Sequence, residues 1–171
     1  MRILGIDPGS KYLGWGCVDV SGNKISHVAH GVIEAPAGLG SVTQNSSDAC
    51  DFLGNEFEHL LDQLSPQCAA LEAFVFFGDN QMTTQAMQTG AVIGVIRESL
   101  RMHKIPRYEY PTQTVKFVVC QNRKAEKKDI QERVRFVLGL QKVPRPLHAS
   151  DALALALTLW SKKKLEGMKW I

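Results

Sequence analysis

The chain reads as an α/β domain, with one mixed five-stranded sheet flanked by helices. Three observations predict it. The first 34 residues are apolar runs separated by turn residues, with strand-like alternation, the pattern of an antiparallel meander. After that, stretches with 3.6-residue periodicity alternate with short β-type runs, the order expected of strands joined by helices. At 171 residues and 44% hydrophobic content, the chain suits one domain with a sizeable core.

Residues 2–7, Arg-Ile-Leu-Gly-Ile-Asp, form a buried strand. Pro8-Gly9-Ser10 turns the chain, and residues 12–20 return as the second strand of a hairpin. A third strand over 25–34 alternates around Ile25, Val28, Val32 and Ile33. A Gly/Pro loop over 35–40 precedes a helix over 42–64. Leu53, Phe57, Leu60, Leu61 and Leu64 make its apolar stripe, and Ser65-Pro66 stops it. Residues 68–75 are a strand, broken by Gly78-Asp79-Asn80. A helix over 81–102 carries Ala86, Gly90, Ala91 and Gly94, small enough for close packing against a sheet or a partner helix. A strand over 105–110 leads through Pro111-Thr112 into a helix to 119, then a polar, basic linker over 121–126. A helix over 129–140 has Ile130, Val134, Val137 and Leu138 on one face. After a loop over 142–146, the helix over 147–164 is apolar nearly all round in its first half, so it belongs in the core. The expected domain is 1–164, with 165–171 a frayed tail.

No apolar run reaches the roughly 18 residues of a membrane span, and no signal peptide is expected. Cys17, Cys50, Cys68 and Cys120 are scattered without C-x-x-C spacing, so neither a zinc site nor a disulfide framework is indicated. Reduced thiols and a cytoplasmic location are the expectation. Charge is lopsided. Residues 1–96 carry 3 Lys/Arg against 10 Asp/Glu, a net −7, and residues 97–171 carry 17 against 7, a net +10. A basic half joined to an acidic half suggests a polyanionic partner such as nucleic acid; a solvated Lys-rich face is the plainer alternative.

Three acids sit where acids are costly. Asp7 ends the first apolar run, Glu72 closes Cys68-Ala-Ala-Leu-Glu72, and Asp151 lies inside the most apolar stretch of the chain. Such carboxylates need pairing, hydrogen bonds or metal. If they converge they repel, and a hard divalent cation such as Mg²⁺ relieves that repulsion. Such sites commonly handle phosphate esters. His148 stands three residues before Asp151, on the same helix face, where imidazole and carboxylate can share an ion or a water. Taken singly, Asp7 could cap a turn, His148 could bond backbone, and Asp151 could serve the helix dipole. Arg123, Lys124, Lys127 and Lys128 precede the helix expected at 129, where one lysine could hold a phosphate. Phe74, Phe76 and Phe77 bracket a strand tip that could wedge against unpaired bases or simply pack in the core.

Gly5-Ile6-Asp7-Pro8-Gly9-Ser10, Leu71-Glu72 and His148-Ala-Ser-Asp151-Ala-Leu-Ala resemble the motifs of the RuvC family of crossover junction endodeoxyribonucleases. The resemblance extends through Glu109-Tyr110, Val115-Lys116 and Ala125-Glu126-Lys127, in matching order and spacing over nearly the whole chain. It implies a ribonuclease H-like fold and a homodimer that cuts two opposing strands of a Holliday junction. It implies two Mg²⁺ ions per site, with Mn²⁺ as a substitute, held by Asp7, Glu72, Asp151 and His148. His148 is either a metal ligand or a proton carrier. Lys116 and Lys127 match basic residues near the scissile phosphate, with Arg123 and Lys124 as further DNA contacts. The aromatic at the junction centre corresponds to Phe76 or a neighbour. A branch-migration complex of RuvA-RuvB type is the implied partner, and no membrane is. One departure is the charged segment 121–127, where the family has a glycine-bearing loop.

Three rival readings suit the same residues. Gly-Ile-Asp-Pro-Gly-Ser also resembles the phosphate hairpin of the actin and sugar-kinase fold, which usually needs more than twice this length. A non-cleaving junction-binding protein would not need the carboxylates. A ribonuclease H-like nuclease acting on another branched or hybrid substrate would keep them.

Overall fold

A computed structural model describes residues 1–37, 46–73, 84–165 and 167. Five strands, β1 (Arg2–Pro8), β2 (Tyr12–Ser21), β3 (Lys24–Glu34), β4 (Cys68–Glu72) and β5 (Arg107–Tyr110), form one sheet in the order β3-β2-β1-β4-β5. β1 runs antiparallel to β2 and parallel to β4, and β4 runs parallel to β5, so the sheet is mixed as expected. The helices are α1 (Ser46–Leu64), α2 (Thr84–Met102), α3 (Thr112–Cys120), α4 (Lys127–Val137) and α5 (Leu147–Leu165).

Alternation along β1 divides the core in two. Leu4 and Ile6 face α1 and α2, packing with Leu53, Phe57, Leu61, Val92 and Ile96. Ile3 faces the other layer, where α3, α4 and α5 contribute Val115, Val119, Ile130, Val134 and the buried run from Leu153 to Leu157. The α5 helix lies against the sheet almost without side chains between. A Cβ on Gly5 would stand 1.8 Å from the Ala152 carbonyl oxygen, and one on Gly14 would stand 2.3 Å from that of His148. These two positions admit only glycine, and the close approach carries the start of α5 to the end of β1.

Several boundaries differ from the sequence reading. α4 begins at Lys127, not 129, and ends at Val137, not 140. The Glu126 backbone N–H donates to Asp129 Oδ2 at 2.8 Å, half of a capping box that recruits both lysines into the first turn. Gly139, at φ +64°, lies beyond the helix end. β4 stops at Glu72, so Glu72 is the strand's last residue. β5 is shorter than expected, starting at Arg107 after Pro106. The sequence positions 42–45, 74–83 and 168–171, with Phe74, Phe76 and Phe77 among them, lie outside the described residues. Among the described residues, no helix is long and apolar enough to cross a membrane.

Candidate active site

Asp7 and Glu72 stand near the C-terminal ends of adjacent parallel strands, since Ile6 pairs with Leu71 in the β1–β4 register. In open α/β sheets this edge is where ligands bind. Asp7 shares a strand face with Gly5, the face that α5 covers. Glu72 shares its face with Ala70, which packs in the same layer. His148 and Asp151 descend from the first turns of α5 onto that edge. All four line one cleft of about 280 Å³, together with Thr112, Lys116, Lys127 and apolar Val115 and Ile130.

Each acid has taken a protein partner. His148 Nδ1–H donates to Asp7 Oδ2 at 2.8 Å, and Asp7 is 13% exposed. Thr112 Oγ1–H donates to Glu72 Oε1. Lys127 Nζ stands 3.9 Å from Asp151 Oδ2, the outer limit of an ion pair. The partners do not balance the charge. Asp151 is pushed up to about 6, chiefly by burial and next by the Asp7 charge, while Lys127 pulls the other way and Glu72 adds to the rise. Glu72 is also raised, chiefly by burial; the Thr112 hydrogen bond opposes this and Asp7 reinforces it. Among the described residues, no three acidic, imidazole or thiol groups are gathered into a finished metal cluster. The donor chemistry nonetheless suits a hard divalent cation: carboxylate oxygens around one cleft, two of them made costly to ionise by burial and by the Asp7 charge.

Of the basic residues singled out in the sequence, Lys116 and Lys127 reach the cleft. Arg123 and Lys124 do not. The Arg123 guanidinium lies over the Phe117 ring, 5.5 Å from its centroid, and the Lys124 backbone N–H donates to Asn122 Oδ1 at 2.9 Å. Two neighbours escaped the sequence reading. In the sequence Thr112 reads only as a helix start. Tyr12, whose ring stacks on His148 with centroids 5.8 Å apart, reads only as a strand start. A hydroxyl or a ring beside an acid-bearing element is the one available signal, and pairing them needs the strand register.

The family model described as "Crossover junction endodeoxyribonuclease RuvC" matches residues 3–159. A RuvC of that description from Thermotoga maritima is 40% identical over 156 residues, which cover 91% of this chain and 88% of the relative. Among solved structures, Thermus thermophilus RuvC superposes with a TM-score of 0.81 at 28% identity, covering 97% of each chain. T. thermophilus RuvC in complex with Holliday junction substrate superposes with a TM-score of 0.83, covering 97% of this chain and 96% of that one.

Proposed function

This chain belongs to the RuvC family, junction-resolving endonucleases of DNA recombination and repair, and we propose that Asp7, Glu72, His148 and Asp151 form its cutting site. The observation that carries the assignment is the convergence of three carboxylates and an imidazole, drawn from β1, β4 and α5, on one cleft with two lysines. A four-way DNA junction is the substrate, as in the T. thermophilus complex.

Mg²⁺, two ions per site with Mn²⁺ able to substitute, would supply the positive charge that polarises a phosphate and lowers the pKa of an attacking water. Asp7, Glu72 and Asp151 would hold it through oxygen, with His148 as a further ligand. Holding it would compete with the Thr112 hydrogen bond to Glu72 and with the long contact between Asp151 and Lys127. That contact at 3.9 Å is weak enough for Lys127 to turn to a phosphate oxygen instead. Lys116 adds a second cation on the same wall. His148, if relieved of ligation, can carry a proton at Nδ1, where it now meets Asp7. Cutting would leave a 5′-phosphate and a 3′-hydroxyl. Arg123 and Lys124, outside the cleft, would extend the phosphate contacts along the strand, so binding weakens steeply with salt. Phe76 or a neighbouring aromatic, outside the described residues, would serve at the junction centre.

Two opposing nicks require two sites, and a C₂ homodimer supplies them. The α2 helix offers a face for it. Cβ atoms built on Gly90 and Gly94 meet nothing within 4 Å, and Met87 is 57% exposed. A RuvA-RuvB type complex is the proposed partner and the cytoplasm the proposed location.

The test is cleavage of a synthetic mobile four-way junction in Mg²⁺, with linear duplex and RNA–DNA hybrid as competitors. Paired symmetric nicks in the junction alone, lowered at least ~10³-fold in Asp7→Asn with binding retained, are expected. Tight binding without nicks in either Mg²⁺ or Mn²⁺ would mean that the cleft only binds.

A further inference from the structure

Beyond His148 lies a second pocket of about 380 Å³, lined by Tyr12, Val32, Glu34, Pro146 and His148. His148 is thus a wall shared by this pocket and the carboxylate cleft. The Tyr12 ring lies 11° from parallel to the imidazole. Tyr12 is still 40% exposed, so ring surface remains uncovered, and the residue joins neither core cluster. Glu34 is opposite Tyr12 in the β2–β3 register and exposed at the same rim. An exposed aromatic and an exposed carboxylate therefore flank the cleft on the side away from Lys116 and Lys127.

We propose that this pocket is a nucleobase subsite. It takes the base adjoining the scissile phosphate, stacks it against Tyr12, and reads its edge with Glu34. The subsite presupposes the cleft as the cutting site. Because His148 lines both pockets, a strand whose phosphate sits in the cleft and which runs past His148 would meet this pocket next. The carboxylate of Glu34 repels phosphate, so the pocket suits a base rather than backbone. Its volume falls within the roughly 300–1,000 Å³ of small-ligand pockets. Aromatic stacking holds any base by its π-face. A carboxylate adds selection, because it accepts from the N4 amine of cytosine and faces an acceptor, O4, on thymine. Such a base must be unstacked from its neighbours, which is available near the crossover of a branched substrate. A Tyr12 that merely braces His148 would affect all sequences alike, and this separates the two roles.

The experiment maps cut positions on mobile junctions carrying each of the four bases beside the cut. Wild type, Tyr12→Ala, Tyr12→Phe and Glu34→Gln are compared in Mg²⁺. Wild type is expected to discriminate at one flanking position. Tyr12→Ala flattens that preference while lowering cutting at favoured sites by about 5- to 100-fold, the effect of losing one stacked base. Tyr12→Phe keeps the distribution. Glu34→Gln lowers the cytosine-over-thymine ratio by about tenfold. An unchanged distribution in Tyr12→Ala, with cutting lowered equally everywhere, overturns the subsite, as does a wild type indifferent to all flanking bases. A second readout needs no cutting. 2-Aminopurine is scanned through the crossover of junctions bound to Asp7→Asn protein. Its fluorescence should be quenched at one flanking position and recover in Asp7→Asn/Tyr12→Ala. Equal quenching with and without Tyr12 overturns the subsite. If wild type fails to cut, the cleft assignment falls while the quenching still decides the pocket.

Discussion

Arg2 and Asp7 occupy the two ends of β1, and their surroundings are opposite. At the first end, Arg2 Nε and Nη2 donate to the two carboxylate oxygens of Asp19, each at 3.0 Å, and Nη1 donates to the Leu64 carbonyl at 2.8 Å. The Arg2 hydrogen bond holds the Asp19 carboxyl below the ordinary carboxylate range, against a smaller opposing effect of burial. Arg97 and Glu109 repeat the arrangement at 2.9 and 2.6 Å, and Glu109 is likewise lowered. At the far end, three carboxylates share one cleft, Lys127 stands no nearer than 3.9 Å from Asp151, and two of the three carboxyls are raised. Where charge serves the fold, the fold supplies a fitted counter-charge. Where it does not, the charge is left uncompensated, the pattern expected of a functional site rather than a structural one.

The largest expected effect tests whether that uncompensated charge is reserved for a cation. A ligand at about 100 times its dissociation constant stabilises the folded state by about 2.7 kcal/mol. For a chain of this size that raises Tm by roughly 5–10 °C. Mg²⁺ or Mn²⁺ should produce such a rise in wild type, reversed by a chelator, and Asp7→Asn should lose most of it. Asp19→Asn, at the balanced end, should keep it whole. A wild-type melting curve indifferent to both ions would erase the contrast between the two ends.

The acids were legible in the sequence because an acid closing an apolar run is hard to explain by solvent exposure. Asp7, Glu72, His148 and Asp151 each sit on a core element, and the structure brings them to one cleft. The meander, the mixed sheet and the buried α5 were legible through periodicity. What was not legible depends on register and capping. Lys127 reads only as a residue ahead of a helix at 129 until the Glu126–Asp129 cap starts α4 two residues early. Thr112 meets Glu72 only because β4 and β5 pair with Glu72 beside Tyr110. Tyr12 meets His148 because glycine at 14 lets α5 approach the sheet. Arg123 and Lys124 carried the same sequence signal as Lys127, yet neither side chain lines the cleft, since composition does not specify direction.

A middle-sized effect follows from the raised carboxyl of Asp151. Its value of about 6 in the folded state lies above the ordinary 3.8. The folded protein therefore binds the proton more tightly than the unfolded chain between those two values. The stability this contributes is fully present below about pH 4 and lost as pH rises through about 6. Asparagine cannot ionise and avoids that loss. Metal-free Asp151→Asn should be more stable than wild type at pH 8 by about 1–3 kcal/mol, and the gap should close on acidification to pH 4. Denaturant titration at the two pH values measures it. A variant less stable than wild type at pH 8 would place Asp151 with the structural pairs, and its loss of cutting would then have a trivial cause.

The smallest effect belongs to the balanced end, and its size is what makes it informative. Asp19 has a lowered carboxyl, so the sign reverses: its stabilisation is present above the ordinary carboxylate value and is lost as pH falls through the lower folded value. The Arg2 and Asp19 side chains are 34% and 42% exposed, so solvent screens the pair and the bidentate geometry is worth about 0.5–1 kcal/mol. Asp19→Asn should therefore lower stability by that amount at pH 7 and by almost nothing near pH 2, while junction cutting stays at the wild-type rate. Asp19 and Asp151 substitutions would then move neutral-pH stability in opposite directions, although both remove one negative charge from a protein whose formal net charge is +3. Overall charge would move them the same way. Opposite signs would locate the cause in the local partners, a fitted guanidinium at one end of β1 and competing carboxylates at the other.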